Sequence, residues 1–153
     1  IEIADIARGL SKAVPYKGRL QRRLTACGAI VIDDSYNANP ASMRMAIDVL
    51  AAQPGRRLFV MGNMAELGPE AVALHAEIGQ YARAAGITEF LCTGELAKAA
   101  ANSFGDGAQH FVDWQTLAEA ASLALAPDTI FLIKGSRSAG MERVADYLIA
   151  FAR

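Results

Sequence analysis

The chain has 153 residues, 53% of them hydrophobic and 20% charged, with 15 Lys and Arg against 16 Asp and Glu for a net charge of -1. This composition excludes wholesale disorder, and the length suits one domain that buries roughly two-thirds of its unfolded surface. The balanced charge argues against a dedicated nucleic-acid binder, which carries a basic excess. No apolar run reaches the ~18 residues of a membrane span.

The chain opens on Ile1-Glu2-Ile3, with neither an initiator Met nor the pattern of a signal peptide, and reads as a cut inside a longer chain. Ile3, Ile6, Ala7 and Leu10 share helical spacing, and Pro15-Tyr16-Lys17-Gly18 reads as a turn. Residues 1–18 are expected to be a linker from something upstream, and residues 19–153 the domain. Arg19 to Ala26 alternates as a strand, with Leu20, Leu24 and Ala26 on one face and Arg19, Gln21, Arg23 and Thr25 on the other. Gly28 lets it turn back antiparallel into Ala29-Ile30-Val31-Ile32.

From there, short apolar runs alternate with helical patterns. The further runs are Leu58-Phe59-Val60-Met61, Phe90-Leu91-Cys92, His110-Phe111-Val112 and Ile130-Phe131-Leu132-Ile133, each suited to a strand buried on both faces. Helical faces are formed by Met43, Ala46, Ile47, Leu50 and Ala51; by Leu74, Ile78, Tyr81, Ala82 and Ala85; by Leu117, Ala120, Ala121 and Ala124; and by Met141, Val144, Ala145 and Leu148. Asn39 with Pro40 marks one helix start, Pro69 the next, and Gly86 the end of that second helix. The pattern predicts an α/β fold: a Rossmann-like, mostly parallel sheet flanked by helices, with an antiparallel N-terminal edge hairpin.

Cys27 and Cys92 lie far apart without metal-ligand spacing and read as two buried thiols in a reducing compartment. His75 and His110 read as structural, and Trp114 as an anchor of its helix on the sheet. Lys17, Arg19, Arg22 and Arg23 form a basic group that suits a guarded edge strand or a phosphate contact.

Ligands of open α/β sheets bind outside the carboxyl ends of the strands, so the loops after the apolar runs carry the information. The first, Asp33-Asp34-Ser35-Tyr36-Asn37-Ala38-Asn39-Pro40, offers carboxylates for ribose hydroxyls or base chemistry, and equally suits a capped turn. The second, Gly62-Asn63-Met64-Ala65-Glu66-Leu67-Gly68, is bracketed by glycines and is neither a Walker A nor a GxGxxG loop. The third, Lys134-Gly135-Ser136-Arg137-Ser138-Ala139-Gly140, sets two cations before a helix start and suits an anion. No nucleophile–base pair, metal cluster or phosphate loop accompanies them.

As a set, these three loops resemble the C-terminal domain of the Mur ligases. The preceding Gly18-Arg19-Leu20-Gln21 is similar to that family's leading segment, and His75 and Gly94 fall where its pattern places a His and a Gly. The Tyr36-Asn37-Ala38-Asn39-Pro40 run favours the branch that adds D-alanyl-D-alanine to UDP-N-acetylmuramoyl-tripeptide in peptidoglycan synthesis. The resemblance implies an ATP-dependent ligase of the bacterial cytoplasm, of which this is the last of three domains. Its partners would be its own N-terminal and central domains, which supply the phosphate loop and the Mg2+ ligands, so the isolated domain would be inactive. Carried over residue by residue, Arg19 would reach the ATP phosphates and Asp34 the ribose. Tyr36, Asn37 and Asn39 would line the nucleotide side, and Lys134, Ser136 and Arg137 would face the incoming dipeptide. Asn63 stands where the family usually has Asp, and as a neutral amide it takes no catalytic role. Met64 and Glu66 are left as loop or dipeptide contacts. The alternative is a stand-alone α/β module that binds a nucleotide or another small ligand.

Overall fold

The computed structural model describes residues 16–151. The helix predicted at Ile3 to Leu10, and all but the last three residues of the expected linker, lie outside these residues. The chain enters through a turn in which the Arg19 amide donates to the Tyr16 carbonyl at 2.9 Å. The elements then follow as β1 (Gln21–Leu24), β2 (Ile30–Asp34), α1 (Pro40–Ala51), β3 (Arg56–Met61), α2 (Ala71–Ala84), β4 (Glu89–Thr93), α3 (Ala97–Phe104), β5 (Ala108–Phe111), α4 (Trp114–Ser122), β6 (Thr129–Lys134) and α5 (Glu142–Phe151).

Six strands form one sheet in the order β1-β2-β6-β3-β4-β5. β1 is antiparallel to β2 and every other pairing is parallel, which is the predicted architecture. From β2 the chain steps outward through β3 and β4 to β5. Crossovers of one hand therefore keep α1, α2 and α3 on one face. The chain then reverses to insert β6, so α4 and α5 cover the other face. Two cores result. Ile32, Phe59, Phe90 and Leu132 meet the first three helices, and Val31, Val60, Phe131 and Ile133 meet the last two. β6 is buried along its whole length because it has strands on both sides and helices on both faces.

The helix starts follow the sequence signals. Asn39 caps α1 by accepting from the Ser42 amide at 2.8 Å, and the Ser42 hydroxyl accepts from the Asn39 amide at 3.0 Å, with Pro40 in the first turn. Three expectations need correction. The run at His110 to Val112 is not buried on both faces, because β5 is the edge strand, with His110 exposed and Val112 beyond its end. Cys27 is exposed in the turn between β1 and β2, not buried. The apolar face predicted for β1 points outward, leaving Leu24 72% exposed. The face of this edge strand turned toward α5 carries Arg23 instead, whose guanidinium meets Asp146 at 2.7 Å. Helix α3 also escapes the hydrophobic-face argument, because its buried residues are Ala97, Ala100, Ala101 and Phe104. Small residues suit it to a close neighbour: a Cβ on Gly79 of α2 would lie 2.0 Å from the Ala100 carbonyl oxygen.

Candidate functional site

The parallel strands all end on one side of the sheet, and β6 lies between β2 and β3. The loop after β6 is therefore stitched to both neighbours. On the β3 side, the Gly62 amide donates to the Lys134 carbonyl at 2.9 Å and the Ser136 amide to the Asn63 carbonyl at 2.8 Å. Gly135 permits this approach, since a Cβ there would lie only 3.2 Å from the Gly62 Cα. On the β2 side, the Lys134 ammonium donates to Asp34 Oδ2 at 2.7 Å and to the Asn37 carbonyl at 2.8 Å. Lys134 is buried, and burial without these acceptors would be prohibitive.

Asp34 is the hub of the β2 loop. Its second oxygen accepts from the Leu20 amide at 3.1 Å, which docks the segment before β1 onto the strand end. Each of its oxygens has one recorded donor, and a carboxylate offers about four lone-pair sites. Asp34 can therefore take further hydroxyl donors. Asp33 is fully buried and braces its own turn by accepting from the Ser35 amide at 3.1 Å, while its other oxygen has no partner among the described residues.

Tyr36 stands at the centre. Its amide donates to the Gly18 carbonyl at 2.9 Å. The Arg19 guanidinium carbon lies 4.4 Å from the ring centroid and that of Arg137 5.3 Å. Tyr16 meets the ring edge-on at 6.0 Å between centroids. Two cations from opposite ends of the domain thus share one aromatic platform.

Three cavities open around this ring. The largest, about 760 Å³, has Asn37 and Asn39 on one wall, Ala65, Glu66 and Leu67 on the second, and Ser136, Arg137 and Ser138 on the third. A second, about 330 Å³, is lined by Arg19, Asp34, Asn37, Asn39 and Lys134. A third, about 360 Å³, lies between Lys17, Arg137 and Glu142. The residues expected on the nucleotide side, Arg19, Asp34, Tyr36, Asn37 and Asn39, all line the second cavity. Of those expected to face the dipeptide, Ser136 and Arg137 line the largest cavity, while Lys134 turns toward Asp34. Asn39 also caps α1, and the buried Ser136 hydroxyl pairs with Ser138 at 3.1 Å. The basic group at the start of the domain is dispersed, with Arg22 on Gln53 and Arg23 on Asp146.

The β3 loop is held by residues whose part no local pattern announces. His75 of α2 is fully buried, and its Nε2 accepts from the Met64 amide at 2.9 Å. Its Nδ1 lies 2.7 Å from the Ala71 carbonyl, so the proton sits on Nδ1. Burial lowers the imidazole pKa despite that carbonyl. Asn63 Oδ1 accepts from the Ala97 amide at 2.9 Å, which gives it a bracing part. Between these anchors and Gly68, Glu66 adopts a left-handed backbone with φ 58.

Among the described residues, no group of three His, Cys, Asp or Glu side chains could hold a metal ion, and no helix is long and apolar enough to cross a membrane. The sheet, the convergent loops at its carboxyl edge and a sequence without Gly-Lys-Ser/Thr define an α/β domain whose candidate site carries no phosphate-loop motif. The family model described as Mur ligase, glutamate ligase domain, matches residues 18–137. The chain belongs to that family.

The chain is 45% identical over 135 residues to the UDP-N-acetylmuramoyl-tripeptide--D-alanyl-D-alanine ligase of Escherichia coli, covering 87% of this chain and 29% of that protein. Its identity to the Mycobacterium tuberculosis ligase of the same name is 34%, over 97% of this chain and 34% of that one. Among solved structures, MurF from Acinetobacter baumannii superposes with a TM-score of 0.88 at 31% identity, over 98% of this chain and 34% of that one. MurF ligase from Thermotoga maritima in complex with ADP shares the fold, with a TM-score of 0.81 at 22% identity. The chain spans about a third of the length of these relatives.

Proposed function

We propose that this chain is the C-terminal domain of an ATP-dependent ligase that joins D-alanyl-D-alanine to UDP-N-acetylmuramoyl-tripeptide in the bacterial cytoplasm. The observation that carries the reading is the convergence of three distant segments on one site. Arg19, the Asp34 loop and the Arg137 loop meet around Tyr36, at the carboxyl edge of the sheet. The 45% identity to the Escherichia coli ligase supports the choice of substrates.

In this reading the second cavity takes the ribose and phosphates of ATP. Asp34 accepts from a ribose hydroxyl while Lys134 and the Leu20 amide hold its carboxylate in place. Arg19, set on the Tyr36 face, meets phosphate charge. The central domain would supply the phosphate loop and the ligands for Mg2+, which would neutralise phosphate charge. The γ-phosphoryl group of ATP passes to the tripeptide carboxylate with release of ADP, and the dipeptide amine then attacks the acyl phosphate, forming the amide bond as phosphate and a proton leave. This domain's part is to bind, orient and exclude water, which is most of what such chemistry needs from a protein. Arg137 and Ser136 meet the incoming dipeptide. Lys134 acts one step back, by fixing Asp34 and the Asn37 carbonyl.

The experiment is a chimera. Residues 19–153 replace the matching third of the Escherichia coli ligase, and phosphate release is followed with ATP, tripeptide precursor and dipeptide. Phosphate release that requires all three substrates is expected, together with none from the isolated chain. Dipeptide-independent release, or ligation by the isolated chain, would overturn the reading.

A further inference from the structure

We infer that Glu66 binds the ammonium group of the incoming amino component while Arg137 binds its carboxylate, so that the largest cavity selects a zwitterion with a free amine. This rests on the proposed function, which supplies the dipeptide, and adds a residue and a selection rule to it.

Three observations carry it. Among the described residues, Glu66 and Arg137 are the only charged side chains lining the largest cavity, and they stand on different walls. Neither side chain makes a hydrogen bond or ion pair to another described residue. Arg137 engages only the face of Tyr36, through its guanidinium at 5.3 Å. Their neighbours are committed elsewhere: Lys134 to Asp34, Asn39 to Ser42 and Ser136 to Ser138. Among the described residues the site thus keeps one exposed carboxylate and one exposed guanidinium unpaired, both lining the same space.

The backbone holds Glu66 for this purpose. A non-glycine residue in the left-handed region is strained, and such strain persists where the surroundings over-determine it. Here they do. The Met64 amide is fixed by His75, and the Asn63 carbonyl by the Ser136 amide. That last bond couples the two walls directly: Glu66 lies three residues beyond Asn63, and Arg137 follows Ser136. This bond ties together the β3 and β6 loops from which the two exposed side chains project. A carboxylate pairs with an ammonium by charge-assisted bonds, and a guanidinium takes a carboxylate in fork geometry. A free short peptide offers both groups, whereas acylation of its amine removes the first.

The test is titration of the isotope-labelled chain, read from backbone amide shifts, with D-alanyl-D-alanine and with N-acetyl-D-alanyl-D-alanine. The wild type is expected to bind the free dipeptide about tenfold more tightly than the acetylated one, the size of a charge-assisted bond. Glu66→Gln keeps the side-chain length and should weaken the free dipeptide by about tenfold, leaving the acetylated one unchanged. Arg137→Gln should weaken both. A general disturbance of the loop would weaken both ligands in Glu66→Gln, and that result overturns the inference, as does equal binding of the free dipeptide by Glu66→Gln and wild type. In either case the dipeptide reading survives. If the wild-type chain shows no shifts with the free dipeptide at millimolar concentration, both the inference and the dipeptide half of the proposed function fall.

Discussion

Lys134→Met separates a lysine that reaches a ligand from one that braces the site. Met keeps most of the buried stem and removes the ammonium. In the native protein that ammonium donates to Asp34 Oδ2 at 2.7 Å and to the Asn37 carbonyl at 2.8 Å, with the lysine side chain 4% and the Asp34 side chain 15% exposed. Breaking a buried pair by deleting one partner costs about 3–5 kcal/mol. Asp34 retains the Leu20 amide and some contact with water, so the lower end applies, about 3 kcal/mol. For a domain of this size that lowers Tm by about 6–12 °C. Thermal and urea unfolding followed by circular dichroism would read it. The double variant Asp34→Asn/Lys134→Met removes both charges and should recover part of the loss, giving a coupling of about 2 kcal/mol in the cycle. A loss below about 1 kcal/mol for the single variant, or a double variant as unstable as the two losses summed, would refute the bracing role.

The remaining expectations are briefer. His75 is held neutral by burial, with its pKa depressed below the ordinary value of about 6.5. The unfolded chain then binds the extra proton first, so the stability due to His75 is complete above about pH 6.5 and is lost as pH falls toward the folded value. Urea midpoints from pH 7.5 to 5 should show this slope, and His75→Gln should lack it. Tyr36→Leu removes the shared platform of Arg19 and Arg137 and should weaken ADP binding by about two- to fivefold in calorimetry, with Tyr36→Phe close to wild type. Equal weakening in both variants would point to the phenol hydroxyl instead. Cys27 is exposed, with its thiol pKa lowered chiefly by the Thr25 hydrogen bond, whereas burial pushes Cys92 up to about 12. A disulfide-exchange reagent should therefore titrate one thiol in the folded chain and two in denaturant.

The sheet was legible because its strands are short apolar runs with polar loops after them. Ile30 to Ile32, Leu58 to Met61 and Ile130 to Ile133 could be little else in a chain this short. The capping of α1 was legible for the same local reason, through Asn39 and Pro40. Helix α3 was not, because Ala97, Ala100 and Ala101 make a face only against a neighbour as small as Gly79. The outward turn of Leu24 depends on where α5 lies, which no strand pattern contains. The three loops of the candidate site could be placed at the strand ends from the sequence. What each side chain does there could not. Lys134 reads as a free cation until Asp34 is set beside it from the other end of the chain. Glu66 gave no local sign of its left-handed backbone, since the anchors that impose it come from His75 and Ser136.

The strand in the middle of the sheet is the sixth to be made. Without β6, the β1–β2 hairpin and the β3–β4–β5 ladder share no hydrogen bonds, and each shows an open edge to the other. On a ribosome, these two half-sheets must wait side by side until residues 129–134 emerge and close the gap. The wait exposes apolar edges, which favours mispairing or capture by a chaperone. It also means that the candidate site is completed only when that gap closes, although Leu20, Arg19 and Tyr36 can meet Asp34 and its loop beforehand. Asp34 and the Asn37 carbonyl gain their cation, and the β3 loop its tether to Ser136, in the same event that completes the sheet.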